Sequence, residues 1–134
     1  MTFAFEDLKI YRENITWLDE LNRCLIDLGD HCPPAVKNEV LKNTLAIVSR
    51  IAEAQGNSQK SEKIRLYESA QGAIFACRAS IHAMARMGLL EDDLVTSYFD
   101  HLAESSKMLK SLIRSAQPPK DAEPVKSRET ATHT

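Results

Sequence analysis

Cysteine and histidine are the side chains with the most reactive chemistry to offer in this 134-residue chain, which holds three of the first and four of the second. Cys24, Cys32 and Cys77 are an odd number at wide spacing, with no C-x-x-C pair of the kind that makes a zinc or redox site. They are expected as free thiols in a reducing compartment. A nucleophilic cysteine needs an activating base and an electropositive setting. Cys32 beside His31 is the one candidate, with a plain loop cysteine as the alternative. His31, His82, His101 and His133 are scattered, with no H-x-x-x-H or E-x-x-H pair, and are expected at surfaces or edges. The adjacent carboxylates Asp19–Glu20 and Asp92–Asp93 fall on polar faces or helix starts, where they serve solubility or capping. A phosphate-cradling loop needs G-x-x-x-x-G-K-[ST] after a strand, whereas Gly56 follows a helical pattern and Gly72 lies inside one. No catalytic residue, metal ligand, cofactor or small-molecule substrate is therefore expected.

The elements are easier to read than the chemistry. Gly29, Pro33–Pro34, Gly56 and Gly88 divide the chain at near-regular intervals, and each segment between them has helical periodicity. Helices are expected over 6–28, 34–55, 59–87 and 91–116, an all-α, up-and-down antiparallel four-helix bundle in one domain over 1–116. The second segment repeats Val36, Val40, Thr44, Ile47, Val48 and Ile51 along one face, and the fourth repeats Leu94, Tyr98, Leu102, Leu109 and Ile113. Residues 117–134 hold three of the five prolines with no apolar period, and are expected as a disordered tail. No window approaches the about 18 apolar residues that a membrane span needs. The opening MTFAFEDLKIYRE is acidic by its sixth residue and does not read as a secretory signal. A cytoplasmic protein is expected.

Two features point toward self-association. Helix 1 has two apolar seams: Leu8, Tyr11, Ile15, Leu18 and Leu25 form one, and Ile10, Trp17, Leu21, Cys24 and Leu28 the other. A second copy would cover the second seam through Ile10, Trp17 and Cys24; alternatively helix 1 touches two neighbours within its own bundle. On helix 3, opposite a core stripe of Tyr67, Ala70, Ile74, Ile81 and Ala85, runs a small-residue row of Gly72, Ala76, Ala79 and Ala83. Another backbone could approach closely there, although alanines chosen for helix propensity look the same.

Charge placement is uneven although the formal net charge is only −2. From 6 to 30, seven acids stand against three bases, while helix 3 has five bases against Glu62 and Glu68. Such polarity suits head-to-tail contact between copies or a phosphate backbone met by Arg50, Lys60, Lys63, Arg65, Arg78 and Arg86. A solvated charged face is the plainer alternative.

The stretch "FEDLKIYR" (5–12), the run "IAEAQGNS" (51–58), Glu62, Arg65, the "AQG" at 70–72 and "MGLL" before helix 4 together resemble one known family. It is the four helix bundle proteins encoded in intervening sequences of bacterial ribosomal RNA genes, related to the accessory variability determinant of diversity-generating retroelements. The chain departs from that pattern at Ser49, Arg50, Ala54, Ala76 and Arg78. The resemblance implies a homopentameric scaffold or accessory protein with no enzymatic activity. For the retroelement branch it also implies binding to RNA or DNA and to a reverse transcriptase. It makes Glu53, Gly56 and Ser58 the hinge signature, with Gly56 expected in a left-handed conformation and Asn57 or Ser58 capping helix 3. Glu53 opposes the dipole of its own helix. It is expected to be held by N–H groups of the hinge or helix 3, or by a base from another copy.

Overall fold

The computed structural model describes residues 1–118. It has four α-helices: α1 Lys9–Leu28, α2 Pro34–Gln55, α3 Lys60–Arg86 and α4 Asp92–Ala116. Among the described residues there is no strand. The tail expected from 117 onward lies outside the described residues beyond Pro118.

α1 starts three residues later than expected. Ala4–Asp7 form a 3-10 turn, closed by Glu6 accepting a 2.8 Å hydrogen bond from the Phe3 N–H. Leu8 is then extended, with ψ 131°, and breaks the helical path. α2 opens on Pro34, where no intrahelical donor is missed. α4 opens on Asp92 and Asp93, whose charges favour the positive end of its dipole.

The end of α3 is fixed by Gly88, at φ +75°. Its N–H donates to the Ala85 carbonyl and the Leu89 N–H to the Met84 carbonyl, each at 3.0 Å. This pair of bonds is a Schellman motif, and it satisfies carbonyls that the helix leaves unpaired. Leu89 then packs on the core.

Contacts between helices run in opposite residue order, as an up-and-down bundle requires. Gln55 and Thr44 of α2 meet Tyr67 and Cys77 of α3, while Gln71 and Arg78 of α3 meet Ser106 and Phe99 of α4. Asn14 and Trp17 of α1 meet Ser105 and Tyr98 of α4. The interior holds Leu21 and Leu25 from α1, Ile47 and Ile51 from α2, Ile81 and Met84 from α3, and Leu102 and Leu109 from α4. α2–α3 and α3–α4 pack most closely, and of the neighbouring helix pairs α1–α4 is the loosest. Among the described residues, no helix is long and apolar enough to cross a membrane.

Candidate functional site

The hinge between α2 and α3 is held by side chains of its own chain. Gln55 Nε2 donates to the Tyr67 hydroxyl at 2.6 Å, tying the last turn of α2 to α3. Glu53 pairs with Arg50, one turn earlier on the same helix, and not with the N–H groups that the sequence suggests. The Arg50 guanidinium thus offsets the unfavourable placement of Glu53 near the helix C-terminus. Gly56 is right-handed, at φ −82° and ψ −2°, which corrects the left-handed expectation. Its N–H reaches the Ala52 carbonyl at 3.2 Å, so the chain leaves α2 without reversing its twist. Neither Asn57 nor Ser58 caps α3: the N-cap is Gln59, and Asn57 Oδ1 accepts from the Gln59 N–H at 2.9 Å, two residues before the first N–H that a cap would satisfy. Ser58 is exposed and acts as a spacer.

The six candidate basic residues do not form one patch. Arg50, Lys60, Lys63 and Arg65 cluster at the hinge, while Arg78 and Arg86 lie about 27 and 39 Å along the α3 axis from Lys60. Two of the hinge cations are engaged by carboxylates, Arg50 by Glu53 and Arg65 by Glu62. The Arg65 guanidinium holds the Glu62 carboxyl below its usual range, a mark of that pairing. Arg78 stacks its guanidinium over Phe99, 4.0 Å from the ring centroid.

The self-association candidates separate. Ile10 and Trp17, each 3% exposed, are buried inside the chain's own bundle and offer no surface to another copy. Cys24 is half-buried against the same core. The other seam is also largely taken up inside the chain, with Leu25 2% exposed and Leu8 and Tyr11 packed on the core; of it only Ile15, 40% exposed, turns outward, and Ile26 nearby is 66% exposed. On α3 the small-residue row faces out: Gly72, Ala79 and Ala83 are exposed and Ala76 is half-buried. Phe75, 62% exposed, stands among them. A mid-helix glycine costs roughly 0.5–1 kcal/mol relative to alanine. A Cβ added at Gly72 would meet nothing within 4 Å, so packing within the chain gives no reason for glycine there.

A buried polar cluster joins α1 to α4. Asn14, fully buried, donates from Nδ2 to the Ile10 carbonyl at 2.9 Å and to Ser105 Oγ at 3.0 Å. Its Oδ1 lies 3.0 Å from His101 Nε2. Trp17 stacks on the His101 ring, with centroids 4.7 Å apart, and meets Tyr98 edge-on at 5.4 Å. Desolvation pushes the His101 pKa down to about 4, so its ring is neutral at neutral pH. His101 is thus half-buried at the edge of the bundle, where it faces a groove, and Asn14 and Ser105 were not anticipated. The signal was present, because Asn14 is four residues after Ile10 and three before Trp17, a polar residue inside an apolar stripe. Beside the cluster runs a groove of about 470 Å³ lined by Arg12, Glu13, Thr16, Trp17, Glu20, Ser97 and His101.

Cys32 and Cys77 are not activated. Cys32 is 1% exposed and burial raises its pKa, while Cys77, bonded to Thr44 at 3.5 Å, is pushed up to about 11. Thiols in such settings stay protonated and act as small apolar fillers. No protein-family model matches the chain, and no curated protein matches it either.

Proposed function

We propose that this chain is a non-enzymatic scaffold or accessory protein that works as a homo-oligomer. The observation that carries the reading is the outward face of α3, where an exposed phenylalanine and a glycine with no role in the chain's own packing share a regular helix. Such a face suits a second helix better than solvent. The buried thiols and the neutral, enclosed His101 fit structural roles. The resemblance to the four helix bundle proteins sets five copies as the expected number, and the free thiols fit the reducing cytoplasm as the compartment. Light scattering on the full chain is the test. A mass above that of the 15.0 kDa chain supports self-association, and a monomer at micromolar concentration overturns it.

Nucleic-acid binding is the second reading, favoured by Lys60 and Lys63, which form no ion pair among the described residues and flank the hinge. In the retroelement branch of the resembled family a reverse transcriptase would be the protein partner. Replacing Lys60, Lys63 and Arg65 by alanine is expected to abolish RNA or DNA retention at low salt, since each lost phosphate contact removes counterion release. Retention unchanged by that triple variant would overturn the second reading.

A further inference from the structure

The boundary between α1 and α4 is open along much of its length. Three hollows lie on it: about 240 Å³ beside Lys9 and Ser111, about 470 Å³ beside Thr16 and Ser97, and about 680 Å³ beside Asp27 and Leu94. The last two share Thr16 and Glu20, so the groove is continuous there. Its α4 edge carries Ser97, Ser111 and Ser115, small hydroxyls that keep that wall low. Its α1 edge runs from a cation, Lys9, past Thr16 to an anion, Asp27.

The outward face of α3 carries the complementary order. Glu68, Phe75 and Arg86 are exposed on it, with Gly72 and Ala79 between them. Phe75 is seven residues after Glu68 and eleven before Arg86, just as Thr16 is seven after Lys9 and eleven before Asp27. The two sets are also level. Asn14 of α1 and Gln71 of α3 both reach α4 at Ser105 and Ser106, and Trp17 and Arg78 both reach it at Tyr98 and Phe99. Thr16 lies between Asn14 and Trp17, and Phe75 between Gln71 and Arg78, so the two stand at one height. Since α1 and α3 run in the same direction, Lys9 is level with Glu68 and Asp27 with Arg86.

Copies set in a ring about an axis along the helices keep one height and one direction. The α3 face of one copy, laid in the α1–α4 groove of the next, then puts Phe75 over Thr16, Glu68 beside Lys9 and Arg86 beside Asp27. A copy turned end for end would bring Glu68 toward Asp27 and Arg86 toward Lys9, which repels at both ends. Among the described residues Glu68, Arg86 and Asp27 form no ion pair, and Lys9 forms only an exposed 3.9 Å pair with Glu13. α1 and α3 stand at opposite corners of the bundle, so one chain can present its ridge and its groove at the same time.

We infer that copies join head to tail, the outward face of α3 on each filling the α1–α4 groove of the next, with Phe75 as the central contact and opposite charges matched at both ends. The proposal rests on the self-association put forward above, and adds to it the two surfaces and their direction. A head-to-tail contact closes into a ring of any number of copies, five included.

Sedimentation of the full chain and its exposed-face variants tests it. Phe75→Asp spoils the ridge and Thr16→Arg fills the groove, and each alone is expected to leave a monomer of unchanged helical content. Each still has the other surface intact, so an equal mixture of the two is expected to form pairs near twice the 15.0 kDa chain mass and nothing larger. Arg86→Glu and Asp27→Arg, each alone, set like charges together and are expected to raise the dissociation constant about tenfold. The double variant is expected to restore it. A mixture that stays monomeric overturns the head-to-tail contact, as does an oligomer insensitive to these substitutions, while both leave self-association standing. A wild-type chain that stays monomeric overturns both.

Discussion

At the scale of single residues, His101 carries the clearest solution signature. Its ring is enclosed by Trp17, Asn14 and α4, and burial lowers its pKa to about 4 from the ordinary 6.5. The folded chain therefore binds a proton at that site less readily than the unfolded chain. Its stability falls as pH drops from 6.5 toward 4 and levels off below, where both states are protonated. Allowing for solvent at the exposed edge of the ring, the loss is about 2 kcal/mol. The charged groups facing the groove, Arg12, Glu13 and Glu20, are common to wild type and variant. His101→Gln keeps a donor for Asn14 but removes the titration. Urea melts across that pH range are expected to show a shallower decline for the variant, and parallel curves would refute the assignment. Periodicity could have flagged Asn14 within its stripe, but no spacing rule points from Asn14 to His101, 87 positions away. Their contact is created only when α4 returns beside α1.

At the scale of elements, the glycines separate three roles that look identical as letters. Gly88 sits at φ +75°, where a side chain is strained, so Gly88→Ala is expected to cost about 1–2 kcal/mol. Gly56 is right-handed, and its added Cβ would lie 3.7 Å from the Ala52 carbonyl oxygen, an ordinary contact. Gly56→Ala is expected to stabilise by about 0.4–1 kcal/mol through the unfolded chain. Gly72→Ala should gain about 0.5–1 kcal/mol of helix stability in a dilute, monomeric sample. Thermal melts of the three variants check all three signs. The helices themselves were legible, because apolar periods and proline or glycine breaks are local properties. The start of α1 was not, since it depends on the Glu6 side chain reaching back to Phe3. Nor could the pattern say which members of the two seams on α1 stay outside. The structure buries Ile10 and Trp17 and leaves Ile15 outside, and that choice belongs to the other three helices.

At the scale of the whole molecule, stability is unevenly distributed. α2, α3 and α4 share the tightest packing, whereas α1 meets α4 across an open groove and is tied there by the Asn14–Ser105–His101 cluster. Local opening follows the least-packed boundary, so α1 is expected to part from α4 before the other three helices lose their contacts. The only tryptophan of the chain, Trp17, lies at that boundary, 3% exposed and stacked on His101. The molecule thus carries its own optical gauge of a single seam. With rising denaturant the indole emission should shift to the red, as water reaches the ring, before the far-ultraviolet circular dichroism of the helices declines. Coincident transitions would mean that the four helices part together, and that light emitted at one boundary speaks for them all.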